Sequence, residues 1–199
     1  MTPAELGERS RSNLDRVRGL VALYERLAGP AAGRPSVQES DLLRSAVVLL
    51  HATLEDFLRS VATSRLHHAG AELLRTIPFV GGDGRKTTFT LGDLHAHRGR
   101  SVDDVIAESV DAHLRRSSYN NLVDVAGLLR DLGLDATPIR PHAARLAAMM
   151  ARRHQIAHQL DRNEATGRGH HAARSISRAM LLEWIVAVDG MIRAILERL

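Results

Sequence analysis

Residues 42–61 read LLRSAVVLLHATLEDFLRSV. Apolar side chains recur along this stretch every three or four positions, which is the spacing of one face of an α-helix. The members of this apolar face are Leu43, Ala46, Val47, Leu50, Leu54, Phe57, Leu58 and Val61. Ser40 or Asp41 can cap the start of the helix, and its end is expected near Gly70. The stretch therefore predicts a long amphipathic helix with one face in a core.

The same periodicity runs through most of the chain. The other predicted long helices cover about residues 3–27, 138–163 and 172–199, and two shorter ones cover about 101–114 and 121–132. We therefore expect an all-α fold, a bundle of four long helices with two short extra helices. The expected organisation is a single domain over residues 1–199, with an N-terminal helix in 1–30 and the bundle in 37–199.

The glycine-rich stretch at residues 81–87, GGDGRKT, superficially resembles a phosphate-binding loop. That loop needs a glycine directly before its lysine, and here Arg85 precedes Lys86. We expect an ordinary surface loop, or a short hairpin that pairs residues 77–80 with residues 87–91.

The composition narrows the function classes. The chain has no cysteine, which removes disulfides, thiolate metal sites and cysteine nucleophiles. Six scattered aromatic residues argue against a stacking platform for single-stranded bases. Lys86 is the only lysine beside many arginines, a bias that suits phosphate contacts and that a GC-rich genome also produces. The N-terminus is polar and no apolar run approaches a membrane span, so we expect a cytoplasmic protein that contacts no membrane.

Arg153 interrupts the apolar face of the predicted helix that contains residues 146–160. At ~100° per residue it lies near the centre of that face, where an unpaired charge is expensive. A structural arginine that pairs with a buried carboxylate such as Glu55 explains this position as well as a functional arginine does. Glu55 itself belongs to an i, i+4, i+8 row with His51 and Arg59, which is typical of a surface ion-pair ladder.

His154 and His158 are four residues apart and share one face of the same helix. The spacing also occurs in zinc sites, but Gln155 stands where zinc proteases carry a glutamate, and no third ligand is obvious. We therefore assign no metal and no other cofactor. Arg153 and His158 point ~140° apart on a regular helix. A compact site needs an irregular helix, a bent arginine side chain or a second subunit, and the last of these predicts a homodimer.

The run from Arg153 to His158, RHQIAH, resembles the R-x4-6-H signature of the HEPN superfamily, in which a polar residue commonly follows the arginine. The wider run 152–163, the segment 50–59 and the stretch 91–134 resemble the RiboL-PSP-type HEPN group in particular. The resemblance covers roughly residues 40–199, and the N-terminal helix adds nothing diagnostic.

The resemblance implies a metal-independent endoribonuclease. Similar members are often toxins in toxin–antitoxin or other defence systems, with an antitoxin protein as a possible partner, and many act as homodimers. In this chemistry a ribose 2′-OH attacks the adjacent phosphorus, which leaves a 2′,3′-cyclic phosphate and a 5′-OH. His158 is then the general base or acid, Arg153 stabilises charge on the phosphate, and His154 orients groups or helps with proton transfer. Glu55 supports them through Arg153 or His158, with His51 beside it.

Two other readings stay open. The first is a non-catalytic HEPN module that binds nucleotide, RNA or a partner protein. The second is a helical scaffold with a zinc site at His154 and His158.

Overall fold

The computed structural model describes residues 1–29, 36–80, 90–159 and 174–199. These ranges contain helices and no strand, so the predicted all-α fold is confirmed. The helices are α1 (Pro3–Ala28), α2 (Val37–Leu66), α3 (Ala71–Leu74), α4 (Leu91–His95), α5 (Val102–Arg116), α6 (Leu122–Asp131), a 3₁₀ helix (Thr137–His142), α7 (Ala143–Gln159) and α8 (Arg178–Leu196).

Helix α2 forms the centre of the bundle. All eight members of its predicted apolar face are at most 1% exposed, and they pack against α1, α5, α7 and α8. Burying one of its Val, Leu or Phe side chains stabilises the fold by about 1.5–3 kcal/mol relative to leaving it exposed. The four long helices α1, α2, α7 and α8, with the shorter α5 and α6, match the predicted set.

Capping side chains set several helix starts, and those of α2 and α8 differ from the starts expected. Helix α2 begins at Val37, because Ser36 and Glu39 form a reciprocal capping box upstream of Ser40. Helix α8 begins at Arg178, not near residue 172, because Ser177 caps it by accepting a hydrogen bond from the Met180 amide at 3.2 Å.

The region before α7 also differs from the prediction. Prolines 138 and 141 begin no α-helix; they lie in the 3₁₀ helix Thr137–His142, and α7 starts at Ala143. The short helices α3 and α4 were not expected either.

Several expectations fall on other parts of the chain. Residues 77–80 form no strand. The described residues do not include the loop at 81–87, the other half of the expected hairpin up to residue 89, or residues 160–163, the last part of the predicted helix 138–163. Among the helices that the structure describes, none has an apolar stretch long enough to cross a membrane.

Candidate active site

Helix α7 holds its two adjacent arginines in different surroundings. Arg152 is 8% exposed, and its Nη2 donates hydrogen bonds to the carbonyl oxygens of Arg174 at 2.8 Å and Ser175 at 3.2 Å. Arg153 is half-buried, and its Nη1 donates to Oδ1 of Asn120 at 3.3 Å. The buried arginine of this helix is therefore Arg152, although the helical periodicity pointed to Arg153.

The expected ion pair between Arg153 and Glu55 does not form. Glu55 Oε1 instead accepts a hydrogen bond from the backbone amide of Tyr119 at 3.3 Å. Its Oε2 lies 3.7 Å from Nδ1 of His51. No hydrogen bond joins Glu55 to His158 either, within the part of the chain that the structure describes. The half-buried carboxylate of Glu55 thus binds the backbone amide of Tyr119 and no described side chain of α7.

The row formed by His51, Glu55 and Arg59 is not a surface ion-pair ladder. His51 is 1% exposed, and Arg59 donates to the carbonyl oxygens of Leu114 at 3.2 Å and Ser117 at 3.3 Å. The physical reason is that the end of α5 and the residues after it cover this flank of α2. Glu55 and Arg59 bond to backbone groups there, and His51 is enclosed beside them.

The connection between α5 and α6, residues 117–121, links α2 to α7. Tyr119 is buried among the core residues at 3% exposure. Asn120 follows it, is exposed, and accepts the hydrogen bond from Arg153. We call Arg153, Asn120, Glu55 and His51 the Arg153 cluster. Asn120 was missed in the sequence, because a polar run between two helices carries no sign of which distant side chain it meets.

His154 and His158 stand together at the C-terminal end of α7. Both are exposed, and their ring centroids lie 4.7 Å apart with the ring planes tilted by 48°. Helix α7 is regular from Ala143 to Gln159, so no irregularity turns Arg153 toward His158. The structure brings the two histidines together and places Arg153 in a separate cluster with Asn120.

Metal ligation was one of the open readings. Among the described residues, no three His, Cys, Asp or Glu side chains come close enough together to hold a metal ion. His154 and His158 alone supply two nitrogens, fewer than the three or four protein ligands of zinc sites.

His51 is a buried titratable group whose charge depends on its surroundings. Burial lowers the pKa of its imidazole, the Glu55 carboxylate acts in the opposite direction, and the Arg153 guanidinium lowers it further. Neither ring nitrogen has a hydrogen-bond partner among the described residues. The lowered pKa keeps His51 neutral in the folded chain at neutral pH.

The free energy of unfolding is expected to fall on acidification because of His51. Above the pKa of an unfolded histidine, about 6.5, the side chain is neutral in both states and its full contribution is present. Below that pH the unfolded chain binds a proton that the folded chain excludes. The free energy of unfolding therefore falls by up to about 1.4 kcal/mol per pH unit, until the pH reaches the lowered pKa of the folded state.

Urea denaturation between about pH 8 and pH 5 measures this slope. The variant His51→Gln should flatten it. His113→Gln should also flatten the slope, because burial and then Arg116 lower the pKa of His113 as well. An unchanged slope in His51→Gln would contradict the assignment.

Comparison with protein-family models identifies the family of the chain. The model described as RiboL-PSP-HEPN matches residues 11–199. The chain belongs to this family. The expected family is thereby confirmed, and the match extends into α1, so the N-terminal helix is part of the resemblance after all. No curated protein and no solved structure matches the chain.

Membership of the RiboL-PSP-HEPN family indicates a function related to nucleotides or RNA. HEPN domains often bind RNA and often dimerise. The run 153–158, which resembles the R-x4-6-H signature, lies near the end of α7 and contains Arg153 and the pair of exposed histidines.

Proposed function

We propose that the protein is a metal-independent endoribonuclease. The observation that carries the proposal is the state of Arg153. Its guanidinium is half-buried and bonded to a neutral amide, and no described carboxylate lies within ion-pair distance of it. Such a cation is available to a phosphate group, which Arg contacts through two parallel N–H groups. Membership of an RNA-related family supports the same conclusion.

The chemistry uses residues near the C-terminal end of α7. His158 accepts the proton of a ribose 2′-OH, and the 2′-oxygen attacks the adjacent phosphorus. The bond from phosphorus to the 5′-oxygen breaks, and that oxygen takes up a proton as it leaves. Arg153 stabilises the negative charge that develops on the non-bridging oxygens. His154, whose ring contacts that of His158, orients it or supplies the second proton.

The active unit that we propose is a homodimer. Arg153 and His158 diverge on a regular helix, so one chain places them poorly for the same phosphate. The ends of two α7 helices brought together by a two-fold axis would place the arginine of one copy beside the histidine of the other. The exposure of His154 and His158 leaves them free for this arrangement.

Cleavage of RNA in the presence of EDTA tests the proposal. The purified protein should cleave an RNA oligonucleotide and leave 2′,3′-cyclic phosphate and 5′-OH ends, which mass spectrometry identifies. His158→Ala should lower the rate by about 100-fold or more, because a general base contributes on that order. A substrate with 2′-deoxyribose at the cleaved position should stay intact. Activity that a chelator abolishes and zinc restores would overturn the metal-independent mechanism.

We also propose that the ribonuclease acts in the cytoplasm as a toxin with an antitoxin partner. The native chain and the variant His158→Ala together test this role in cells. Expression of the native chain in a bacterium should arrest growth and degrade RNA, whereas expression of His158→Ala should do neither. Equal toxicity of both chains would contradict the assigned site. RNA binding without cleavage, unaffected by His158→Ala, would instead identify a non-catalytic HEPN module.

A further inference from the structure

We infer that Asn120 is a positioning residue that holds the Arg153 guanidinium in place without neutralising it. The inference rests on the proposed function, because it specifies how the phosphate-binding arginine is prepared. The contact is the hydrogen bond from Nη1 of Arg153 to Oδ1 of Asn120 at 3.3 Å. The two residues are 33 positions apart in the chain, so the fold alone brings them together.

The chemical nature of the acceptor matters. A carboxylate at the position of Asn120 would form a charge-assisted pair with Arg153 and compete with a phosphate for the same N–H groups. The carboxamide of Asn120 accepts the hydrogen bond from Arg153 and, because it is neutral, leaves the positive charge of the guanidinium uncompensated. Arg153 keeps its other N–H donors available, since the described residues supply no further acceptor for it.

Asn120 is itself fixed from both sides. The preceding residue, Tyr119, has its ring in the core and its amide bonded to Glu55 at 3.3 Å. The following residue, Asn121, caps α6 by accepting a hydrogen bond from the Asp124 amide at 2.9 Å. Further back, Arg59 binds the carbonyl oxygens of Leu114 and Ser117. An exposed side chain between such anchors holds a defined position at little entropic cost.

Two substitutions separate the effect of position from the effect of charge. Asn120→Ala removes the acceptor, so Arg153 should become mobile and kcat for RNA cleavage should fall by about 10- to 100-fold, the cost of a misplaced group. Asn120→Asp keeps an acceptor and adds a negative charge. Arg153 should stay ordered in this variant, and the Kd for an uncleavable 2′-deoxy-substituted oligonucleotide should rise by about 10-fold.

A spectroscopic measurement reads the inference independently of cleavage. NMR relaxation of the Arg153 Nε–Hε group should report greater motion in Asn120→Ala and native order in Asn120→Asp. Gln155→Ala is the matched control, because Gln155 lies on the same helix as Arg153 but its Oε1 accepts a hydrogen bond from a different side chain, Arg174 Nη1, at 3.2 Å. That variant should leave the Arg153 signal and the cleavage rate unchanged.

The outcomes are distinct. Unchanged order of Arg153 in Asn120→Ala overturns the positioning role, whatever happens to the rate. A native Kd in Asn120→Asp overturns the part played by charge. If the native chain cleaves no RNA, the proposed function fails, and the NMR comparison still decides whether Asn120 positions Arg153.

Discussion

Arg153→Ala is expected to lower the rate of RNA cleavage by about 100- to 1,000-fold, the usual cost of removing one group that stabilises the charge of a transition state. The reason is that negative charge builds up on the phosphate oxygens in the five-coordinate transition state. Arg153 is the half-buried cation of α7 that no described carboxylate neutralises. Arg153→Lys should recover a small part of the rate, because an ammonium group keeps the charge and loses the planar pair of donors. Initial rates on a synthetic oligonucleotide in EDTA measure both effects.

A mixing experiment shows whether the site is shared between two copies. Arg153→Ala and His158→Ala are each expected to be inactive alone. After the two variants are unfolded together and refolded, half of the dimers are mixed, and each mixed dimer holds one intact site if the arginine and histidine come from different copies. The mixture should then recover about a quarter of the native activity. Refolded native protein is the control, and no recovery in the mixture would place both groups in one chain.

The centre of the fold could be predicted from the sequence because one physical effect dominates it. Eight apolar residues of α2 repeat at helical spacing, and every one of them is buried. The start of α2 was predicted less accurately, because its cap is Ser36 and not Ser40 or Asp41. Ser36 prevails over Ser40 because Glu39 reciprocates its hydrogen bond, a pairing that an apolar pattern does not report.

Only the part of the site that lies on a single helix could be predicted from the sequence. The spacing of His154 and His158 places their rings together on α7 whatever surrounds that helix. The environments of His51, Glu55 and Arg59 depend instead on residues 117–121, which reach α2 from a distant part of the chain. Amphipathic periodicity treats the flank of a helix as solvent-facing, so it assigned these three residues to the surface.

The HEPN signature by itself does not choose between the adjacent arginines. Arg153 precedes His158 with four intervening residues and Arg152 with five, and both spacings satisfy R-x4-6-H. Burial and hydrogen bonding separate them. Arg152 points its guanidinium at two backbone carbonyl oxygens, whereas Arg153 meets one side-chain amide. This contrast predicts that one arginine serves the fold and the other serves the reaction.

Arg152→Ala is accordingly expected to lower the free energy of unfolding by about 2–4 kcal/mol, because it removes buried hydrogen bonds from a charged group and leaves space behind. The carbonyl oxygens of Arg174 and Ser175 that it binds lie just before α8, next to the buried Ile176. Arg44 of α2 also donates to the Arg174 carbonyl, at 3.2 Å, so some of this anchoring survives in the variant. Urea denaturation followed by circular dichroism measures the change.

The neighbouring variant supplies the control for this prediction. Arg153→Ala removes one hydrogen bond from a half-buried side chain, so its unfolding free energy should stay within about 1 kcal/mol of the native value. Folded Arg152→Ala, assayed well below its midpoint of denaturation, should keep most of its cleavage rate. The opposite pattern, with Arg152→Ala stable and inactive and Arg153→Ala active, would assign the phosphate to Arg152 and reverse the roles of the two arginines.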